Sequence, residues 1–133
     1  MNGISRKIDI RSQKGQSLTE FALALPVLAL LLFAVIQFGI AFNNYVTLTD
    51  ATRAGARKAA VGRQLSNPSS ATVTAVRASA QDLKQSDLSI TVTSTWQPGA
   101  DVAVKATYPY SISLLGMVVK SGRLSSTTTE RVE

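Results

Sequence analysis

The most prominent feature of the sequence is an uncharged apolar run near its amino terminus. It extends over 22 residues, from Phe21 to Phe42, and Gln37 is its only strongly polar side chain. At about 1.5 Å per residue, a helix of that length reaches roughly 33 Å, which is enough to cross the hydrocarbon core of a bilayer. The apolar run therefore predicts a transmembrane helix over residues 21–42.

Residues 43–62 are expected to continue this helix beyond the membrane. The segment contains no proline and is rich in alanine, the residue with the strongest helix propensity. Leu48, Ala51, Gly55 and Ala59 fall near one face of such a helix, whereas the charged residues point elsewhere. Because small residues allow a close approach of the backbone, we expect the rest of the chain to pack directly on this face.

A second helix and a strand are predicted after this point. Asn67 is suited to cap a helix that starts at Pro68, and apolar residues at helical spacing continue to about Gln85. From Leu88 the apolar residues recur at every second position, which predicts a half-buried strand to about Trp96.

The remaining segments predict more of the same sheet. Residues 97–100 are a turn signal, and the alternation over 102–108 completes an antiparallel hairpin, which Pro109 should end or mark as an edge. Residues 112–119 are interpreted as a loop or short helix that closes the core, or else as an exposed apolar patch that contacts a neighbouring subunit. Residues 123–132 are a candidate third strand, with a disordered or glycosylated tail as the alternative.

Together these elements indicate an α+β fold. It consists of a long amino-terminal helix and a small head with one short helix and a roughly three-stranded antiparallel sheet. We expect a cytoplasmic leader at residues 1–15, the long helix at 16–62 and the head at 63–133.

Charge is distributed in a way that predicts the topology. The formal net charge is +6, and half of it lies in residues 1–15, where four bases accompany the single acid Asp9. The bases are Arg6, Lys7, Arg11 and Lys14. No base follows the run until Arg53, so the positive-inside rule keeps the amino terminus in the cytoplasm and moves residues beyond about 43 across the membrane. The other bases are scattered along the chain, which makes nucleic-acid binding an unfavoured interpretation.

A signal peptide and a signal anchor are two simpler interpretations of the apolar run. A secretory signal peptide usually has an apolar region of about 7–15 residues followed by a small-residue cleavage site. This run is longer, and Asn43, Asn44 and Tyr45 follow it. An ordinary uncleaved signal anchor remains open on hydropathy alone.

The composition argues against catalysis. The chain contains no histidine and no cysteine, so the commonest general base and the thiolate and imidazole metal ligands are missing. The acids form no tight constellation in the sequence, and no phosphate-binding glycine loop is present. We therefore expect no enzymatic activity, no cofactor and no metal.

Glu20 is the one charge that hydropathy does not explain. Carrying a carboxylate to the middle of a membrane costs about 2.5–3.5 kcal/mol, so an acid beside the run should be at the interface, paired or functional. A basic segment ends at Gly15, and Glu20 is the fifth residue after it. This arrangement resembles the class III signal of type IV pilins and pseudopilins. The resemblance implies that a prepilin peptidase cuts between Gly15 and Gln16, and that Glu20 meets the amino terminus of a neighbouring subunit during filament assembly.

Further residues narrow the resemblance to one family. The combination of GQSLTEFALALPVL, QFGIAF and DATRAGARKAA is similar to the TadE family, the pseudopilins of tight-adherence (Flp-type) pilus systems. The residues that match the juxtamembrane motif of the family are Ala51, Arg53, Gly55, Ala56 and Arg57. Thr52 is a departure, because many relatives carry alanine there.

This resemblance implies a minor pilin or pseudopilin that helps to assemble, prime or cap an adhesive pilus. Its partners would be the prepilin peptidase, other pilin or pseudopilin subunits and the inner-membrane assembly platform. It would reside in the bacterial inner membrane, with a periplasmic head, and after assembly in the extracellular pilus. The alternatives are a larger major pilin, a membrane-anchored periplasmic scaffold or binding module that never enters a filament, and a pilus-tip subunit that captures DNA. The position in the filament, the partner pseudopilin and the recognised surface stay open.

Overall fold

Two helices and three strands make up the fold of the residues that the structure describes. The computed structural model describes the backbone of residues 10–133 and the side chains from residue 15 onward. The elements are α1 (Ile10–Ala60), α2 (Pro68–Ser79), β1 (Ser89–Ser94), β2 (Asp101–Leu114) and β3 (Met117–Arg131). This layout confirms the predicted α+β class. Residues 1–9 of the predicted leader, with the bases Arg6 and Lys7, lie outside the described residues, as do the side chains of Arg11 and Lys14.

The chain divides into two compact units, Met1–Ile36 and Gln37–Glu133. The second is called the carboxyl-terminal unit below. It contains the last part of α1, the helix α2 and the whole sheet.

The helix α1 is 51 residues long. It begins at Ile10, inside the predicted leader, and ends at Ala60, close to the predicted end at residue 62. Pro26 lies inside the helix without ending it, because a proline costs a helix one backbone hydrogen bond and membrane helices tolerate that loss. The chain turns directly after the helix, where the Gly62 amide donates to the Ala59 carbonyl at 3.0 Å.

The helix α2 is shorter than the sequence pattern predicts. Asn67 caps it as expected, since its side-chain oxygen accepts from the Ser70 amide at 3.0 Å. The helix ends at Ser79 instead of continuing to Gln85, because the Gln85 side-chain amide donates to the Ala80 carbonyl at 2.7 Å and replaces the next helical turn. Leu83 is nevertheless buried. The apolar spacing therefore predicted its burial correctly, but the prediction of helix after Ser79 is wrong.

The three strands form one antiparallel sheet in the order β1-β2-β3. The first pair of β1 with β2 joins Ser89 to Thr107, and β2 continues beyond it. Pro109 therefore does not end β2. It pairs with Arg123 of β3 at a point where β1 offers no partner, which confirms the predicted edge position and explains how the sheet accommodates a residue with no amide hydrogen.

Residues 112–119 form the end of a β-hairpin, and the prediction of a loop or short helix is wrong. Leu114 pairs with Met117, and Leu115 and Gly116 form the connecting turn with φ angles of 51° and 83°. The exposed apolar surface that the alternative required is present, because Leu115 is 78% exposed. The tail is the third strand, β3, as predicted, and not a disordered segment.

The core of the carboxyl-terminal unit lies between α1, α2 and the sheet. The predicted inner face of α1 is confirmed, because Leu48, Ala51 and Ala59 are fully buried. Val76 of α2 and Val104 of β2 belong to the same apolar cluster. The last part of α1 is thus a structural element of the head, in agreement with the expectation that the head packs directly on it.

Candidate functional site

The predicted processing and assembly residues lie on the first part of α1. Gly15, Gln16 and Glu20 are all helical and exposed. The Gln16 side-chain amide donates to a Glu20 carboxylate oxygen at 3.1 Å, a contact between residues one helical turn apart. Helical side chains lean toward the amino terminus, so the Glu20 carboxylate is directed at the turn that contains Gln16.

The peptide bond between Gly15 and Gln16 is part of the helix. The Gly15 carbonyl accepts a hydrogen bond from the Thr19 hydroxyl at 2.9 Å. Cleavage of this bond would require access to the carbonyl and therefore opening of this turn. Glycine lowers the cost of opening, because it destabilises a helix interior by about 0.5–1 kcal/mol relative to alanine.

Packing within the chain does not require a glycine at position 15. A Cβ atom built on Gly15 meets nothing within 4 Å. A side chain at this position therefore causes no clash in the folded chain, and any requirement for glycine must come from helix opening or from an external partner.

The apolar run is exposed on all sides of α1. The helix is long and apolar enough to cross a membrane, and none of its most apolar stretch is buried within the chain. Leu23, Phe33 and Phe38, for example, are each at least half exposed. A helix that is apolar all round is stable in a lipid bilayer or when packed among other helices.

The juxtamembrane motif divides into packing residues and solvent-facing residues. Ala51 and Ala56 are fully buried, whereas Arg53 and Arg57 are exposed. Gly55 is the point of closest approach, because a Cβ atom there would collide with the Val76 side chain of α2. The small residues of the motif thus hold the head against α1.

Thr52 is a site residue whose role the sequence analysis missed. It is fully buried, and its hydroxyl lies 2.8 Å from the Thr49 carbonyl, 3.2 Å from the Ser126 hydroxyl and 3.0 Å from the Thr128 hydroxyl. The carbonyl can only accept, so the single Thr52 proton goes to it and the two β3 hydroxyls donate to Thr52. A polar residue inside a stripe of small buried residues was the sequence signal that could have identified it.

The two arginines of the motif make weak contacts within the chain. Arg53 lies 3.5 Å from Asp50, and both side chains are more than 60% exposed. A surface ion pair of this kind contributes about 0–1 kcal/mol. Arg57 lies in the last turn of α1, where a base interacts favourably with the carboxyl-terminal end of the helix dipole.

A groove of about 530 Å³ lies within the carboxyl-terminal unit, between α1 and the β2–β3 hairpin. Phe38, Phe42 and Tyr45 line it from α1, and Ile112, Lys120 and Arg123 line it from the hairpin. The rings of Phe38 and Phe42 stack with centroids 6.3 Å apart. The hairpin therefore lies beside the last turns of the apolar run.

Comparison with known proteins supports the resemblance that the sequence suggested. Residues 15–57 match the family model of TadE-like proteins. The matched segment contains the predicted processing residues, Glu20, the apolar run and the juxtamembrane motif, and the resemblance to TadE-like proteins is confirmed over it. No curated protein and no solved structure matches the chain.

Proposed function

We propose, from the TadE-like segment at residues 15–57, that this chain is a pseudopilin of a tight-adherence pilus. The observation that carries the proposal is the placement of Glu20. Its carboxylate lies one helical turn from Gln16, directly before an apolar helix that has no buried side within its most apolar stretch. In this role the protein is the substrate of a prepilin peptidase and itself catalyses no reaction.

Cleavage between Gly15 and Gln16 gives the Glu20 carboxylate a cationic partner. Removal of the leader exposes an α-amino group, whose ordinary pKa of about 8 leaves it mostly protonated at neutral pH. It also deletes four bases and one acid from the cytoplasmic side of the membrane. The contact between Gln16 and Glu20 supports this role, because the carboxylate lies at the helical turn that would carry the new amino terminus.

Pairing of Glu20 with the amino terminus of a neighbouring subunit sets the register of assembly. A buried charge without a partner is strongly unfavourable, so a helix packed among others is stable only where the two charges meet. The carboxylate thus fixes the position of the subunit relative to its neighbour.

The apolar run allows the subunit to leave the membrane. Its exposed side chains contact lipid before assembly and neighbouring helices afterwards, with little change in polarity. The charge distribution supports a cytoplasmic amino terminus and a periplasmic head. The assembly platform of the inner membrane and other pilin subunits are the partners of this step, in which the protein joins, primes or caps the fibre.

The proposal is tested by the mass of the protein made together with a prepilin peptidase. We expect an amino terminus at Gln16. Gly15→Ala should retain the leader, and Gly39→Ala, a glycine substitution elsewhere on α1 that also meets no neighbour within 4 Å, should be processed normally. An intact leader on the unaltered protein would refute processing and leave a single-pass membrane-anchored scaffold or binding module.

A further inference from the structure

The end of the β2–β3 hairpin carries an apolar surface that is exposed in the folded chain. We propose that this hairpin tip, residues 114–119, inserts into the surface of the same bilayer that α1 crosses and gives the head a second membrane contact. The inference rests on the membrane anchoring of α1 in the proposed function, but not on processing or pilus assembly.

The hairpin tip exposes four neighbouring apolar side chains. Leu115, Met117, Val118 and Val119 are each 63–78% exposed. Contiguous apolar surface of this kind marks an interaction site. The tip also lies beyond the last pair of β1 with β2, so only two strands support it there, and a two-stranded hairpin is marginally stable in water.

The turn residue Leu115 is poorly suited to its backbone conformation. Both central residues of the two-residue turn have positive φ, a geometry that favours asparagine, aspartate or glycine at the first position. Gly116 meets this requirement and Leu115 does not. The most exposed position of the tip is thus occupied by an apolar side chain where turn formation in water favours a polar one.

The tip lies at the end of the carboxyl-terminal unit that contains the last apolar turns of α1, at Phe38 and Phe42. The strand β3 runs antiparallel to α1, because the Glu133 amide donates to the Ala60 carbonyl and Thr128 contacts Thr52 further up the helix. Continued in the same direction, β3 reaches the groove beside Phe42. From Ile112 in this groove to Leu115 the strand advances about 10 Å further at roughly 3.3 Å per residue, so the tip lies beyond the groove, on the side away from Ala60.

The charges around the tip favour an anionic lipid surface. Lys120 and Arg123 lie directly behind the apolar residues, and no acid occurs between Asp101 and Glu130. Bases next to a membrane are attracted to anionic headgroups, and tyrosine, which lines the adjacent groove at Tyr110, is enriched at membrane–water interfaces. A second copy packed symmetrically on this surface would instead bring the same bases together.

The depth of insertion is limited by the strand edges. Unpaired backbone groups are strongly unfavourable in the hydrocarbon core, so a two-stranded hairpin can enter only the headgroup region and the adjacent acyl chains. The register shift of the hairpin leaves Val119 as an extra residue on β3, and a bulge of this kind bends the strand on which it lies.

The absence of cysteine allows a direct test by single-site labelling. The full chain is placed in nanodiscs that contain phosphatidylglycerol, at one copy per disc, with a fluorophore at Val118→Cys. Phe33→Cys in the apolar run and Thr93→Cys on the exposed side of β1 are the reference positions. We expect a water-soluble quencher to reach the label at 118 several-fold less than the label at 93, and a lipid-attached quencher to reach it several-fold more.

The reference positions separate the possible failures. A protected label at 33 with a fully accessible label at 118 would overturn the inference and leave the membrane anchor intact, whereas an accessible label at 33 would overturn both. Protection at 118 that requires two copies per disc would identify a second copy as the partner and contradict lipid insertion.

A turn variant provides an independent measurement. Leu115→Asn suits the turn geometry better but removes the most exposed apolar side chain. We expect it to increase the accessibility of the label at 118 severalfold while the label at 33 stays protected. Unchanged accessibility in this variant would contradict the proposal, because a better turn alone gives no reason for the tip to leave the bilayer.

Discussion

The buried Thr52 hydroxyl connects α1 to β3, and its removal should weaken the head measurably. Thr52→Val keeps the shape of the side chain but removes its oxygen. The Ser126 and Thr128 hydroxyls then lose their shared acceptor. Ser126 is only 8% exposed and cannot turn to solvent, whereas Thr128 is half-buried and can.

The expected loss follows from this difference in exposure. A buried donor left without a partner costs about 1–3 kcal/mol. The extra methyl group of valine offsets up to about 0.8 kcal/mol of this cost, because it adds buried apolar surface. We therefore expect Thr52→Val to lower the free energy of unfolding by about 1–2 kcal/mol.

Urea unfolding of the detergent-solubilised chain measures this loss. Trp96 is the only tryptophan and packs against the core, so its fluorescence reports on the head and not on the membrane helix. Thr74→Val is the matched control, because the Thr74 hydroxyl bonds only the Ser70 carbonyl on an exposed face and its loss should cost less than about 0.5 kcal/mol.

A double variant separates the hydrogen bonds from the change in shape. Adding Ser126→Ala to Thr52→Val removes the buried donor, so the pair should be less destabilised than the sum of the single changes. Equal stability of Thr52→Val and the unaltered protein, or simple additivity of the pair, would refute the assigned hydrogen-bond arrangement.

Three further predictions concern the remaining contacts. Gly55→Ala should destabilise the head by about 1–3 kcal/mol in the same assay, because its Cβ collides with Val76, whereas Gly39→Ala meets no neighbour and should leave the head unchanged. Asn67→Ala should cost about 1 kcal/mol through loss of the α2 cap, and a change of less than about 0.3 kcal/mol would contradict the role of the cap. Glu20→Gln should insert into the membrane and be processed normally but give fewer pili by electron microscopy. A normal number of pili would contradict the proposed role of Glu20 in subunit register.

Sequence periodicity correctly predicted the elements that are buried on one side. The inner face of α1 and the alternation of β1 and β2 follow from burial on one side, and burial leaves a spacing of apolar residues that can be read directly. Asn67 was predictable for a different reason, since a cap followed by proline is a local signal that depends on no tertiary contact. The processing residues stay a prediction, which rests on a short segment of one helix.

The errors fall where contacts distant in sequence decide the structure. The end of α2 at Ser79 depends on the Gln85 side chain, which bonds the Ala80 carbonyl and replaces the next turn of the helix. The hairpin at 112–119 was not predicted as strand because an apolar segment with leucine and glycine gives no typical turn signal. The hydrogen-bonding role of Thr52 was not predicted because its partners, Ser126 and Thr128, lie more than 70 residues away in the sequence.

The helix α1 combines two surfaces with opposite requirements. Between Leu48 and Ala59 its small residues pack against α2 and the sheet, and Gly55 allows no larger side chain. The apolar run is exposed, although its last turns, at Phe38 and Phe42, lie beside the hairpin. A subunit that moves from a bilayer to a fibre needs this division, because a surface committed to the head could not exchange lipid for other helices.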